Sequence, residues 1–473
     1  MDDLKDIANF CIEYSKKLGA SYSEARLEYS DNNAFVMNNG ILQASEFGIS
    51  KGVGIRIIAD KAVGFTSTNN LQKEHLKSVI NKCFRSLKAS KNLSIKTEFS
   101  EEKIISKEYE VKQKIKLQDI GAEQKINILK GIELSVEKNK KNSKVTRYIH
   151  YTDSVKKKIF MNSEGTRIIS TIPIVSLFYI ITAQSQEKTI QRIWQLGNSG
   201  GFEQAKKWNV EEHMRQELDA LTNTLKKGVK APIGKIDFVV SPEISGIMAH
   251  ESGGHPYEAD RILGREAAQA GESFIDIDMI GTKIGNEIVN IVDDPAIDDS
   301  FGYFLYDDEG VPAKKKYLMK NGKINEFMHN RETANLCRQK SNGCARASAY
   351  DREPLVRMSN TYIEPGDHEF EELFEDVKKG VYMKSFMEWN IDDKRLNQKY
   401  VGAEAYMIEN GKITEPVLMP ALEITTPNLY SSIDAIGKEL EFHPGSCGKG
   451  EPMQGMPVWL GGAPLRIRNV SMK

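Results

Sequence analysis

The sequence is short of the features that mark several common protein classes. It has five cysteines among 473 residues. An odd, sparse count in a long chain argues against a disulfide framework and for free thiols in a reducing compartment. It has no surplus of either charge, since 65 basic residues meet 66 acidic ones for a formal charge of -1. That balance argues against electrostatic capture of nucleic acid. It has no long apolar run. The most apolar stretch, residues 168–183, is interrupted by Pro173 and several Ser and Thr residues. It is too short and too broken to span a bilayer, and it reads as paired strands. The opening Met1-Asp2-Asp3-Leu4-Lys5-Asp6 lacks signal-peptide character. These absences point to a soluble, cytoplasmic protein with neither a nucleic-acid nor a membrane partner.

What the chain does have is length enough for two or three domains with their own cores. Residues 3–18 carry Leu4, Ile7, Ala8, Cys11 and Tyr14 at helical spacing, which makes Cys11 a core residue. Residues 22–29, 34–37 and 52–58 read as short strands, with Asn38-Asn39-Gly40 as a turn. Residues 71–87 and 120–139 are further helices, and the lysine-rich 90–116 between them is a connector or an exposed edge. Residues 145–184 read as a strand meander turning at Asn162-Ser163-Glu164-Gly165, with Lys156-Lys157-Lys158 as a solvated face. Residues 209–227 form a charged helix that Gly228 stops. The main boundary falls at 228–234. It separates an α+β N-terminal domain, residues 1–228, from a mostly antiparallel β C-terminal domain, residues 229–473. The second domain carries two Asn-Gly hairpin turns, at Asn321-Gly322 and Asn410-Gly411.

The stretch richest in chemistry is Met248-Ala249-His250-Glu251-Ser252-Gly253-Gly254-His255-Pro256-Tyr257-Glu258. Two histidines with a glutamate beside the first are the parts of a hydrolytic metal site. Imidazole nitrogens suit Zn²⁺, and the glutamate can take a proton from water. In the common His-Glu-x-x-His motif the histidines sit at i and i+4, on one helix face. At i and i+5 they point roughly 140° apart on an α-helix and cannot close on one ion. A helix that widens or breaks at Gly253-Gly254 removes the conflict, because glycine tolerates the distortion best. The start of this helix is marked as well. A strand over 235–240 leads to Ser241 as N-cap and Pro242 at the first helical position. An ordinary helix with two core histidines is the bland alternative, and the adjacent glutamate and glycine pair weigh against it.

Two histidines do not complete a zinc site. Glu258, Asp260, His329, Cys337, Cys344, His443 and Cys447 are the candidates for a third ligand. Cys337, on a short helix with Ala334 and Leu336, reads as a buried packing thiol, and Cys344 is open to either role. Cys447 sits in His443-Pro444-Gly445-Ser446-Cys447-Gly448-Lys449-Gly450, a loop with no periodicity that would place the thiol in a core. Asp307, Asp308 and Glu309 form either an acidic turn or a group that binds a peptide's amino end or orients the ligand histidines. Arg346 and Arg357 read as members of buried structural pairs, with carboxylate binding as the alternative.

Taken in order, these stretches resemble the TldD/PmbA family of metalloproteases. The metal stretch is similar to that family's His-Glu-x-x-x-His motif, and Asp307-Asp308-Glu309-Gly310 is similar to its Asp-Asp-Glu-Gly segment. Arg357-Met358-Ser359-Asn360-Thr361 resembles its Arg-Met-x-Asn-Thr segment, and Cys447-Gly448-Lys449 its C-terminal Cys-Gly-Lys. Gly52-Val53-Gly54-Ile55-Arg56 and Gly64-Phe65 resemble its N-terminal pattern. The resemblance implies an α+β fold of two domains, a metal held by His250, His255 and Cys447, and Glu251 as catalytic base. It implies a dimer, of the chain with itself or with a PmbA-type (TldE) subunit that lacks the metal motif. The implied activity is that of a zinc-dependent peptidase acting on unfolded or extended peptides and small proteins. Its rivals are a non-catalytic peptide-binding subunit with a structural metal and, from the family's older names, a modulator of a DNA-acting enzyme. The sequence departs from the family pattern at residues 386–398, which contain none of the glycines that pattern has there. The loop after Lys449 is also longer.

Overall fold

Period-two alternation governs the first half. In a computed structural model, which describes residues 2–90, 96–140, 143–185, 188–264 and 272–472, it produces strands longer than the sequence alone suggests. β1 (Tyr22–Asn38) and β2 (Ile41–Ala59) form one antiparallel hairpin, so the expected short strands are parts of two long ones. The polar middle of β1 does not end it, because Asn33 donates to Asp153 on a neighbouring strand at 2.8 Å and the ladder continues past both. Asn39 and Gly40 close the hairpin with φ of 47° and 82°, the left-handed pair that a type I′ turn requires.

β3 (Ala62–Thr68) extends that hairpin, and β4 (Ser106–Glu110) is an exposed edge strand within the expected connector. Residues 91–95 of that connector lie outside the described residues. β5 (Lys144–Asn162) and β6 (Arg167–Ser185) make a second long hairpin. Its turn is held by Asn162 Oδ1, which accepts the N–H groups of Gly165 and Thr166 at 3.1 and 2.9 Å. With β7 (Lys188–Ser199), which pairs with β6, the sheet has the order β3-β2-β1-β5-β6-β4. Helices Asp2–Lys17 and Lys73–Ser90 cover one end through Ala8, Cys11, Leu76, Ile80 and Cys83. The lysine run is a correction. Strand alternation turns Lys156 and Lys158 inward, where they pair with Glu28 at 3.2 Å and Asp308 at 2.9 Å.

The second half builds an eight-stranded sheet, a six-stranded sheet and the short pair Ala345–Arg346 with Leu355–Val356 among the described residues. Gly234–Val240 lies within the eight-stranded one, parallel to Lys379–Ile391 and antiparallel to Leu465–Met472. The six-stranded one ends in the antiparallel pair Glu441–Lys449 and Gln454–Gly462. Both Asn-Gly turns have the expected left-handed pair, with φ of 49° and 69° at Asn321-Gly322 and 49° and 79° at Asn410-Gly411. The fold is α+β, dominated by sheet. Among the described residues no helix is long and apolar enough to cross a membrane.

The two halves share one core, which runs from Phe35 on β1 to Met472. Ion pairs cross the junction, the buried Arg56 on Glu309 at 2.6 Å and Arg331 on the more exposed Glu164 at 2.8 Å. The Gly52-Val53-Gly54 motif has its reason here. A Cβ at Gly52 would stand 2.3 Å from the Tyr350 ring, and one at Gly54 would stand 2.2 Å from the Tyr350 carbonyl oxygen.

Candidate metal centre

The strand Gly234–Val240 delivers the chain to Ser241, whose Oγ accepts the Ile244 N–H at 3.4 Å and caps the helix Pro242–Gly253. That helix is buried from Glu243 to Gly253, so no face of it meets solvent. It breaks at Gly254 and does not widen. The Gly254 N–H still bonds His250 O at 3.1 Å, and a 3-10 turn over His255–Tyr257 follows. Glycine is needed here mainly for close packing. A Cβ on Gly254 would stand 1.9 Å from Met358 Sδ, and one on Gly253 2.5 Å from Ile291 Cδ1.

The break folds His255 back over His250, with ring centroids 4.9 Å apart. Cys447 comes in from the strand Glu441–Lys449, and its Sγ lies 3.3 Å from His255 Nε2. One donor atom from each of the three falls within 4.8 Å of the others, and all three residues are buried. The stretch around Cys447 is therefore a strand and not the expected loop. It pairs with Gln454–Gly462 on one side only, and an edge strand accepts Pro444 and its glycines.

The electrostatics suit a metal. Burial keeps His250 below its ordinary pKa, so it is neutral at pH 7 with a lone pair to give. Burial pushes the Cys447 thiol up, but the charges of His255 and Arg357 outweigh it and bring the thiol down to about 7. His255 Nδ1–H donates to Glu258 Oε2 at 2.9 Å, which leaves Nε2 as the free donor toward Cys447. Glu258 in turn meets Arg261 at 2.6 Å and Lys449 at 3.3 Å. His250 Nδ1 is buried with no hydrogen-bond partner. Two imidazoles, a thiolate-prone cysteine and an orphaned ring nitrogen fit zinc, with three protein donors and one position over.

Glu251 stands beside this cluster. Its Oε1 accepts Trp389 Nε1–H at 3.2 Å and its Oε2 accepts Arg395 Nη1–H at 2.8 Å. Burial raises its pKa, but His255 and Arg395, with the Trp389 hydrogen bond, more than offset that and hold the carboxyl below its ordinary value.

The other candidates go elsewhere. Glu258 is the partner of His255, and Asp260 pairs with Lys449 at 2.7 Å. His329 bonds Thr333 Oγ1 at 3.1 Å and burial pushes it down to about 4. His443 packs against Trp194 at 5.1 Å. Cys337 is only half-buried, at the end of Arg331–Leu336. Cys344 is buried, and burial pushes its thiol up to about 12. Asp307, Asp308 and Glu309 do not orient the histidines. Asp307 accepts the N–H groups of Glu309, Val311 and Ala345, Asp308 takes Lys158, and Glu309 takes Arg56. Arg346 and Arg357 are buried, but they give their donors to backbone carbonyls, those of Met358 and Pro457 and those of Gln454 and Cys447. They are not in the expected pairs, because backbone carbonyls take the donors that a carboxylate would have taken. Sequence reasoning missed Trp389 and Arg395. The glycine-free stretch 386–398 marked their neighbourhood, but nothing local pointed to Glu251 as their partner.

Comparison with known proteins gives matches along most of the chain. Residues 233–473 match the family model of the PmbA/TldA metallopeptidase C-terminal domain, residues 115–227 its central domain and residues 23–89 its domain 1. The chain is 31% identical over 455 residues to a metalloprotease of Methanocaldococcus jannaschii, covering 94% of this chain and 95% of that protein. It is 27% identical to the zinc metalloprotease TldD homolog of Saccharolobus solfataricus, covering 98% of each. Two solved structures share the fold over 99% of this chain. One is a Thermotoga maritima protein described as a modulator of a DNA gyrase, with a TM-score of 0.79, 18% identity and full coverage of that chain at 100%. The other is TldE from Thermococcus kodakarensis, with a TM-score of 0.74, 16% identity and 99% coverage of that chain. The chain belongs to the PmbA/TldA (TldD/PmbA) family of metallopeptidases.

Proposed function

We propose that this metallopeptidase is zinc-dependent and hydrolyses extended or unfolded peptides, with His250, His255 and Cys447 holding the ion and Glu251 as the base. The observation that carries this reading is the buried His250–His255–Cys447 cluster, with three donors within 4.8 Å of one another, beside an ionised glutamate. When bound, zinc supplies Lewis-acid polarisation of the scissile carbonyl and of water. Glu251 takes the proton of the attacking water and passes it to the leaving nitrogen. Glu258 holds the His255 ring in one orientation. A closed structural site needs a fourth protein donor, and the cluster among the described residues has three.

An extended substrate is supported by a cavity of about 290 Å³ between the halves. Every second residue lines it, from Thr152 to Phe160 on β5 and from Ile168 to Ser176 on β6. Asp307, Asp308, Ser446 and Met456 line it as well, and Ser446 and Met456 flank and face Cys447 across the terminal hairpin. In this reading residues 1–228 supply the sheet wall and residues 229–473 the chemistry. The partner is a TldE-type subunit or a second copy, and the exposed Ile41, Leu42, Phe47 and Ile49 on the outer edge of β2 offer a surface for it. The test is to measure bound metal in purified protein and to assay unfolded peptides with and without chelator, alone and with a TldE-type partner. Cleavage that a chelator abolishes and zinc restores is the expected result. Protein that carries no metal and cleaves nothing in either form sinks the reading.

A further inference from the structure

Arg395 sits at the tip of the hairpin made by Lys379–Ile391 and Asn397–Glu409, inside the stretch that departs from the family pattern. Its φ is 62°, in the left-handed region, and its backbone is fixed on both sides. Its N–H donates to Asp392 O at 3.0 Å, and its carbonyl accepts Thr426 Oγ1–H at 2.7 Å. This backbone aims the guanidinium at Glu251. One donor, Nη1, is used there. The side chain is nine-tenths buried, at 9% exposure, yet its Nε has no hydrogen-bond partner. Leaving a buried charged donor idle is costly, and a ligand acceptor relieves it. Trp389, on the same hairpin, packs edge-on against Phe386 at 5.0 Å and keeps 38% of its surface open.

The charge count points the same way. Around the cluster Arg261, Arg395 and Lys449 pair with Glu251, Glu258 and Asp260, while Arg357 gives two donors to backbone carbonyls. A divalent ion held by the three proposed ligands tips this balance to positive, which favours an anion on the substrate. The planar guanidinium fork matches a carboxylate better than any other side chain does.

We propose that Arg395 is a substrate-recognition residue that binds a carboxylate of the peptide through its Nε edge, with Trp389 as the apolar shelf beside it. The proposal rests on the peptidase reading of this site. The carboxylate is either the C-terminus of the peptide or an acidic side chain beside the scissile bond.

Three peptides of one sequence separate the sources: a free C-terminal acid, its C-terminal amide, and an amide with Glu replacing Gln next to the cut bond. Each is measured with the parent, Arg395→Gln and Arg395→Lys, after melting curves and zinc content have been matched. The parent should prefer one carboxylate peptide over the neutral amide by about tenfold or more in KM. Arg395→Gln should erase that preference, and Arg395→Lys should keep part of it. Any common loss of kcat from disturbing Glu251 cancels in the ratio between peptides. A preference for the free acid assigns the C-terminus, and a preference for the Glu peptide assigns the side chain. Equal KM for all three peptides in the parent, or a preference that survives in Arg395→Gln, overturns the proposal. If Arg395→Gln melts early, Arg395→Lys carries the comparison. If nothing is cleaved, the peptidase reading fails separately. Binding of the same peptides, followed by tryptophan fluorescence with Trp389→Phe as control, then decides the role of Arg395 by the same preference.

Discussion

Asp307, Asp308 and Glu309 meet protein donors on every side, among them Lys158 and Arg56 and the backbone N–H groups of Val311, Ala345, Ala347 and Arg331. The charges around His250 and His255 are as deeply buried but are not closed off. His250 Nδ1, Glu258 Oε1, Arg261 Nη1, Arg357 Nε and Arg395 Nε are all buried without a partner, and the carboxylate oxygens of the acidic triplet are not among such atoms. Buried polar groups are nearly always satisfied in native proteins. The acidic triplet is closed at its carboxylates, with one idle donor on its partner Arg56, whereas five idle atoms gather around the two histidines, and that concentration reads as a place where something binds. Both clusters were visible in the sequence as runs of chemistry-bearing residues, and only their hydrogen bonding tells them apart.

The largest expected effects break the open cluster. His250→Ala or His255→Ala should reduce zinc from about one per chain to none, because too few protein donors remain. Cys447→Ala should lower zinc affinity and abolish cleavage, whereas Cys337→Ala and Cys344→Ala should leave both as they are. Elemental analysis of dialysed protein checks this, and full occupancy in either histidine variant would remove the basis of the site. Glu251→Gln should keep zinc and fold while turnover falls by roughly 10²–10⁴-fold. Cleavage at the parent rate would rule Glu251 out as the base.

The saturated cluster should fail differently. Glu309 accepts from Arg56 at 2.6 Å and from the Arg331 N–H at 2.7 Å, and both ionic side chains are buried. Glu309→Gln leaves the Arg56 guanidinium with less than it needs, a loss of roughly 3–5 kcal/mol for a broken buried pair. Denaturant melts should show that loss, and the fraction that stays folded should bind zinc like the parent. A zinc defect at unchanged stability would put Glu309 with the metal cluster. His329 gives a smaller, pH-dependent effect. Burial holds it at about 4 against an ordinary 6.5, so the unfolded chain binds its proton first. Stability is then complete above pH 6.5 and is lost as pH falls toward 4, by roughly 3 kcal/mol at most from this residue. His329→Phe should flatten that part of the stability profile.

Much of the frame was legible for simple reasons. Period-two alternation marked pieces of the long strands, Asn39-Gly40 and two other Asn-Gly pairs fixed hairpins, and Ser241-Pro242 marked the start of the site helix. The break at Gly253-Gly254 was legible from the spacing of the histidines, but its cause was not. Met358 and Ile291 crowd those glycines from far along the chain. The strand through Cys447 was hidden because Pro444, Gly445 and Gly448 do not look like a strand, and only pairing with Gln454–Gly462 makes it one. Trp389 and Arg395 were out of reach because their partner Glu251 lies more than a hundred positions away. Local pattern carries local structure, and it carries no long-range pairing of charge.

Glu258 belongs to both kinds of cluster and offers the finest test of the difference. Its side chain is fully buried, and its Oε2 takes His255 Nδ1–H, Arg261 and Lys449, as the saturated carboxylates do. Its Oε1 has no partner, as in the open cluster. If its work is to hold the His255 ring, Glu258→Gln should not remove zinc outright. It should weaken zinc binding by about 10–100-fold, the usual loss when the partner of a ligand histidine is changed. Lys449 keeps Asp260 at 2.7 Å, so the fold has a second anchor and should melt close to the parent. The measurement is a zinc titration against a chromophoric chelator, followed by turnover as a function of free zinc. Saturating zinc should restore most of the turnover in Glu258→Gln and none of it in Glu251→Gln, because the first change acts on holding the ion and the second on moving the proton. Parent-like zinc affinity with a large loss of stability would instead place Glu258 with Asp307, Asp308 and Glu309, and the boundary between the open and the saturated cluster would then run between His255 and its own hydrogen-bond partner.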